Sequence, residues 1–371
     1  KVFINSYTKC NLELKLLLSM GKLTEQLSKK IPDWRYNYRQ LLDEKGDQVT
    51  STVTINAAYS GMKGVKGMIC DTSSVTADAG LHVRGKHILD LVDLKPEEIL
   101  YLLLIGDLPN SEELADLQKD LNERSAVPDY VWDVLSGMPK DSHPMAMFNT
   151  AILSMQKESK FAEAYDLVVS KGDYWETTLE DGLNIIAKLP AIGAAVYRLR
   201  FNKGERLEAG EANDWSEKFL QMMGMDYSED MLKMMQLYLM LHCDHEGGNV
   251  STFSALTVNS ALSDPYYALS AGLNGLAGPL HGLANQNNLK FVLDIIDHYK
   301  GVPSDDQLKE FSWDRLNSGK VIPGYGHAVL RCPDPRFTAF MNFGKQNIKD
   351  SEVFDVVTKL FDIVPDVLKE H

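Results

Sequence analysis

The chain has 371 residues and a net charge of −14. That length can bury a large core, and the acidic balance argues against a nucleic-acid partner, whose phosphates need a positive surface. No run of 18 apolar residues occurs, so no membrane span is expected, whereas an anionic small molecule needs only a local cluster of positive charge.

In chain order, Thr50–Asn56 is rich in Thr and Val and is expected to form a short hairpin with Gly67–Asp71. Pro96, followed by Glu97 and Glu98, starts a helix that ends near Gly106. Asn110 caps a helix over Ser111–Glu123. Met231–Leu241 is apolar nearly all round, which predicts a fully buried helix. Asp264-Pro265 repeats the cap-then-proline signal within Ala261–Gly278, a stretch rich in small residues that let helix backbones approach closely. Such a helix suits the centre of a helical sandwich or a subunit interface, and simple intrachain packing explains it equally well. Ser304 and Gln307 form a capping box for a helix reaching about Asn317, with Gly319 beyond. Ser351–Lys369 is a strongly apolar amphipathic helix interrupted by Pro365, and it ends at His371 with no glycine cap. The reading is mostly helical, without repeats or low-complexity tracts.

Cys10, Cys70, Cys243 and Cys332 show neither disulfide nor metal-ligand spacing, so a reducing compartment is the simplest reading. Cys243 is expected to be a small buried thiol on an apolar helix rather than a nucleophile. The chain starts at Lys1 rather than Met, so a processed or cut N-terminus is expected and no targeting peptide is legible.

Three histidines stand out. His245 lies in His-Cys-Asp-His-Glu-Gly-Gly-Asn, His281 in Gly-Pro-Leu-His-Gly-Leu-Ala-Asn-Gln, and His327 in Pro-Gly-Tyr-Gly-His-Ala-Val-Leu-Arg. Each has glycine close by, which leaves room for a substrate oxygen beside backbone and imidazole. Glu246 next to His245 invites a metal reading, but no second ligand recurs at helical spacing, so no metal is expected. His242 and His245 could share a helix face, where packing is the better reading. His82, His87, His143, His298 and His371 carry no expected function.

These segments, their order and the spacings of 36 and 46 residues between the histidines resemble citrate synthase of the eukaryotic mitochondrial type. Tyr174-Trp175-Glu176, Ala187–Pro190, Ser263–Pro265 and Asp334–Arg336 are also similar, and the resemblance covers roughly residues 45–371. It implies an all-α fold with a large helical domain over 1–282, a smaller helical domain over 283–371, and the active site in the cleft between them. In the family the chain then returns to the large domain, carrying the catalytic aspartate, two more substrate-binding arginines and a long central helix. Residues 1–371 produced alone are therefore expected to be inactive and poorly folded, with the apolar face of Ser351–Lys369 exposed.

The resemblance implies condensation of acetyl-CoA with oxaloacetate to citrate and CoA, with acetyl-CoA as co-substrate and no cofactor. By position, His281 resembles the histidine that stabilises the enol, and His327 the one that donates to the oxaloacetate carbonyl. His245 and Asn249 resemble oxaloacetate contacts, and Arg336 one of its arginine clamps. Arg331 resembles a coenzyme A phosphate contact, and the backbone of Val321, Gly324 and Tyr325 would meet the adenine. Lys63 and Lys171 fall where the family often has arginines for coenzyme A phosphates; lysine keeps the charge and loses the fork geometry. Arg84–Leu108 is shorter than in the relatives and reads as a trimmed surface loop. A homodimer in the mitochondrial matrix follows from the same resemblance. The rivals are 2-methylcitrate synthase, which takes propionyl-CoA, and a non-catalytic member recruited as a structural subunit of an assembly or filament.

Overall fold

Side-chain caps decide where most of the helices begin. A computed structural model of the chain describes residues 21–60, 65, 67–212, 214–326 and 329–371. Its first helices are α1 (Lys22–Lys45) and α2 (Ile55–Tyr59). The expected hairpin of Thr50–Asn56 with Gly67–Asp71 does not form. Thr54 Oγ1 accepts the Ala57 N–H at 3.1 Å and starts α2 instead, a local bond that competes with strand pairing. The strands lie just downstream: β1 (Ser73–Thr76), β2 (Gly80–Val83) and β3 (Lys86–His87). They form one antiparallel sheet in the order β1-β2-β3, with Ser73 opposite Val83 and His82 opposite His87. Arg84 and Gly85, both at positive φ (47° and 78°), make the tight turn between β2 and β3.

Next come α3 (Pro96–Ile105), α4 (Ser111–Glu123), α5 (Asp129–Ser136), α6 (Pro144–Ser154), α7 (Lys160–Asp166) and α8 (Tyr174–Arg200). Pro96 opens α3 and Gly106, at φ 87°, closes it, as expected. Asn110 caps α4 through the N–H groups of Glu112 and Glu113, and the Glu113 carboxylate returns the bond to the Asn110 N–H. The long helix α8 is central. Its Leu183 and Ala187 join Leu23, Tyr101 and Leu117 in one apolar cluster, while Ile185, Ile192 and Val196 join Val131, Met147 and Ile152 in another. A fully buried side chain of this size contributes about 1.5–3 kcal/mol, so this helix organises the larger core.

Four helices then lead to the histidine motifs: α9 (Trp215–Met223), α10 (Glu229–Leu241), α11 (Val250–Asn259) and α12 (Pro265–Leu276). The expectation of full burial for Met231–Leu241 fails. Only Leu237, Met240 and Leu241 of α10 are buried, and Tyr238 is exposed. One face of α10 packs on the sheet and α3, with Leu81, Val83, Ile99 and Leu102; the remaining apolar residues are only partly covered. The small-residue stripe of α12 receives α11. A Cβ placed on Gly272 would lie 3.1 Å from the Ser251 carbonyl oxygen, and one on Gly275 would lie 2.7 Å from Val250 Cγ1. Of the readings open for that stripe, close packing within the chain is the one observed.

The last helices are α13 (Ala284–Tyr299), α14 (Asp305–Asn317), α15 (Pro335–Asn347) and α16 (Glu352–Glu370). The Ser304–Gln307 capping box forms as expected. Phe291, Ile295, Leu308, Ile322, Val356, Leu360 and Val364 make a core separate from the others. The apolar face of α16 is therefore covered, which corrects the expectation of an exposed one: α13 and α14 pack over it. The helix also runs through Pro365 instead of stopping there. Helix α15 touches both sides of the molecule. Its Ala339, Phe340 and Phe343 pack on the sheet cluster, while Phe337 meets Phe361 of α16 with ring centres 5.1 Å apart.

Candidate active site

The loop between α10 and α11 carries His245. Asp244 Oδ1 accepts the His245 N–H at 2.8 Å, and Asp244 Oδ2 accepts a hydrogen bond from the Thr72 hydroxyl. Ser73 Oγ accepts the Glu246 N–H at 2.6 Å. Asn249 caps α11: its Oδ1 accepts the Thr252 N–H at 2.9 Å and the Ser251 hydroxyl at 2.6 Å. Its Nδ2 donates to the carbonyls of His245 and Glu246 at 3.1 and 3.0 Å and faces Thr252 Oγ1 at 2.9 Å. An amide has two donors and two acceptor positions, and all are engaged here. Asn249 thus organises the loop, and a substrate contact would have to displace one of these bonds.

His281 sits in the turn between α12 and α13, with Nε2 2.9 Å from Ser251 Oγ. Ser251 Oγ lies between Asn249 Oδ1 and His281 Nε2, and when its hydroxyl proton turns to Nε2 the neutral ring carries its own proton on Nδ1. That leaves Nδ1 as the nitrogen for a ligand. A continuous path of hydrogen bonds therefore runs from His281 through Ser251 and Asn249 to the His245 carbonyl.

Arg336 lies in the first turn of α15. Its Nε and Nη2 donate to Oδ1 and Oδ2 of Asp334 at 3.0 and 2.6 Å, a paired contact, and Asp334 Oδ1 also accepts the Arg336 N–H at 2.9 Å. Burial alone would raise the Asp334 carboxyl, but Arg336 and this helix-capping bond outweigh it and hold it below the usual carboxylate range, with His245 adding to the effect. The fork of Arg336 is engaged by Asp334 in this structure. His242 packs, as expected: its ring centre is 4.3 Å from that of Tyr238, and Nδ1 meets the Tyr238 carbonyl at 2.7 Å. Cys243 follows α10, and burial pushes its thiol up to about 12, which removes it as a nucleophile near neutral pH.

The residues expected to meet coenzyme A are more scattered. The Arg331 N–H donates to the Ala77 carbonyl at 2.7 Å, and its Nη1 reaches the Leu330 carbonyl at 2.8 Å. The Val321 carbonyl accepts from Arg315 Nε at 2.8 Å, while the Val321 side chain is exposed. Gly324 has φ 90°. Tyr325 turns inward, its hydroxyl on the Leu360 carbonyl at 2.7 Å. Lys171 is exposed on a short turn before α8, next to Gly172, whose carbonyl is held by Arg35. Lys63 and His327 lie outside the described residues. A cavity of about 400 Å³ lies elsewhere, lined by Trp132, Arg206 and Lys218, and includes none of the histidine-loop residues.

The family model for the citrate synthase C-terminal domain matches residues 61–371. The mitochondrial citrate synthase 4 of Arabidopsis thaliana is 40% identical over 358 residues, which cover 94% of this chain and 75% of that protein. The peroxisomal citrate synthase of Saccharomyces cerevisiae is 41% identical over 359 residues, covering 94% of this chain and 78% of its own. The chain belongs to the citrate synthase family. The citrate synthase of Pyrobaculum aerophilum agrees in fold, with a TM-score of 0.73 at 27% identity over 87% of this chain and 79% of that one. The all-α citrate synthase fold is the one expected, with a small sheet added.

Reading this citrate synthase family member from its sequence misses Ser251, Asp334 and Thr72. Ser251 had a weak signal, standing two residues after Asn249 where a cap and its helix meet. Asp334 had a stronger one, since Asp334-Pro335 repeats the cap pattern of Asp264-Pro265. Thr72 had none, because its partner is 172 residues away.

Proposed function

We propose that the chain condenses acetyl-CoA with oxaloacetate, using His281 and His327 as the groups that act on the reacting oxygens. A carboxylate base takes a proton from the thioester methyl. His281 donates to the thioester oxygen as the enol forms. The enol carbon then attacks the ketone carbon of oxaloacetate while His327 donates to the ketone oxygen, and water cleaves the citryl thioester to citrate and CoA. His245, Asn249 and Arg336 bind oxaloacetate, Asn249 by releasing one of the bonds with which it holds the His245 loop. Arg331, the Val321–Tyr325 backbone, Lys63 and Lys171 serve coenzyme A, with no cofactor required.

The observation that carries this reading is the hydrogen-bonded path His281–Ser251–Asn249–His245, which joins two motifs at bonding distance. The two separate apolar cores support a domain boundary near 282/283, with helix α15 spanning it and substrate closing the cleft. A homodimer in the mitochondrial matrix is part of the same reading; the mitochondrial relative favours that compartment, and the peroxisomal relative points to another. The test is citrate formation by His281→Ala and His327→Ala in the full chain. Each should lose about 10²-fold or more in turnover, as for a lost acid or oxyanion donor. Near-normal turnover would remove that histidine from the mechanism, and faster turnover with propionyl-CoA than acetyl-CoA would make the protein a 2-methylcitrate synthase.

A further inference from the structure

The His245 loop is folded on a template that lies far upstream. Thr72 and Ser73, consecutive residues at the start of β1, each bond to one flank of His245. The Thr72 hydroxyl donates to the Asp244 carboxylate, whose other oxygen holds the His245 N–H. Ser73 Oγ takes the Glu246 N–H at 2.6 Å. The base is rigid. Ser73 pairs with buried Val83 across the sheet, and the Arg84 N–H extends that ladder to the Thr72 carbonyl at 2.8 Å.

The loop needs such a base, because Glu246 has φ 49°, a left-handed conformation that costs a non-glycine residue about 1–3 kcal/mol at such sites unless its surroundings over-determine it. Two bonds hold that residue, one from each side: Ser73 on its N–H and Asn249 on its carbonyl. Gly247 is buried against the same segment; a Cβ there would lie 3.5 Å from Met68 Cβ and 3.6 Å from Cys70 Cβ. The neighbours of His245 are thus fixed on both sides.

We propose that Thr72 and Ser73 are positioning residues that aim His245 at oxaloacetate by clamping the two flanks of its loop. The inference rests on the reading of His245 as an oxaloacetate contact. The clamp acts directly on the flanks of one binding group and reaches His281 only through Asn249 and Ser251, so its loss should weigh more on oxaloacetate than on acetyl-CoA.

The test uses the full chain, with oxaloacetate binding measured by titration calorimetry and KM measured for both substrates. Thr72→Val keeps the shape and removes the hydroxyl; oxaloacetate affinity should fall about 10-fold or more, the scale of a hydrogen bond to a charged group, with the acetyl-CoA KM within about twofold. Thr72→Ser should restore binding. In a His245→Ala background, Thr72→Val should cost nothing further, because it acts through that ring. Ser73→Ala should show the same substrate split; if it unfolds the protein, Thr72→Val decides. Wild-type binding by Thr72→Val, while His245→Ala binds weakly, would overturn the clamp and leave the site reading intact. Unchanged binding by His245→Ala would overturn both, and an equal rise in both KM values would reduce the pair to general supports and refute the proposal.

Discussion

Gly275→Ala tests whether the packing of α11 on α12 governs the site. The added Cβ would sit 2.7 Å from Val250 Cγ1, 3.3 Å from the Val250 carbonyl oxygen and 3.4 Å from Ser251 Cα. Relaxed carbon contacts lie at about 3.5–4.0 Å, so close to 1 Å of overlap must be absorbed at the nearest atom. The Val250 side chain is exposed and can swing aside, but the two backbone contacts remain. Overpacking of this kind costs about 1–3 kcal/mol. Alanine returns about 0.5–1 kcal/mol over glycine inside a helix. The net expectation is a loss of about 1 kcal/mol in stability, with α11 pushed away from α12 at its first turn. That turn holds Ser251, the partner of His281, and a misplacement approaching 1 Å can cost about 10²-fold in rate. Turnover should therefore fall far more than stability. The assay is urea unfolding beside steady-state citrate formation, with Gly272→Ala as the companion whose Cβ meets backbone directly, 3.1 Å from the Ser251 carbonyl oxygen. A Gly275→Ala protein that is more stable than wild type and fully active would refute the reasoning, because it would mean that the helices do not touch there as described.

Arg336→Lys should weaken oxaloacetate binding more than coenzyme A binding, because an ammonium cannot reproduce the paired contact now made with Asp334; equal affinity for oxaloacetate in calorimetry would rule out the clamp role. Asp334→Asn tests the pH dependence of that pair. The folded carboxyl of Asp334 is held below its ordinary value, so the unfolded state binds more protons in acid. Its stabilisation is fully present above the unfolded value of about 3.9 and is lost as pH falls through the folded one. The advantage of wild type over Asp334→Asn in thermal unfolding should be constant near neutrality and shrink in acid, and a gap that does not narrow would contradict the assignment.

Local chemistry was legible in the sequence, and distant coverage was not. Pro96, Asn110, Asp264 and Ser304 start their helices because each cap acts within a few residues. The strands were missed because Thr54 captures the Thr/Val-rich stretch for a helix start, while the true hairpin is announced only by Asp78–Gly80 and Arg84-Gly85. Burial of α10 and α16 was misjudged in opposite directions. An apolar stretch shows that a face can be covered but not which element covers it: α10 is left partly open, and α16 is sealed by α13 and α14. At the site, the histidine motifs announced themselves, and His281 and His245 do belong to one bonded path. The groups that orient them were silent, because a serine or threonine acquires that role only through a partner brought in by the fold.

The bonds from Thr72 to Asp244 and from Ser73 to Glu246 span 172 and 173 residues. A ribosome adding about 5–20 residues per second needs about 10–30 s to deliver the second half of that arrangement after the first. Throughout that interval the residues of the sheet that will bear the histidine loop wait without it, and closing so long a loop is entropically slow. The nascent chain can therefore build helices early, yet it has no complete substrate-binding surface until late in synthesis. Any quality control that senses bound oxaloacetate would be reading the end of folding, not its beginning.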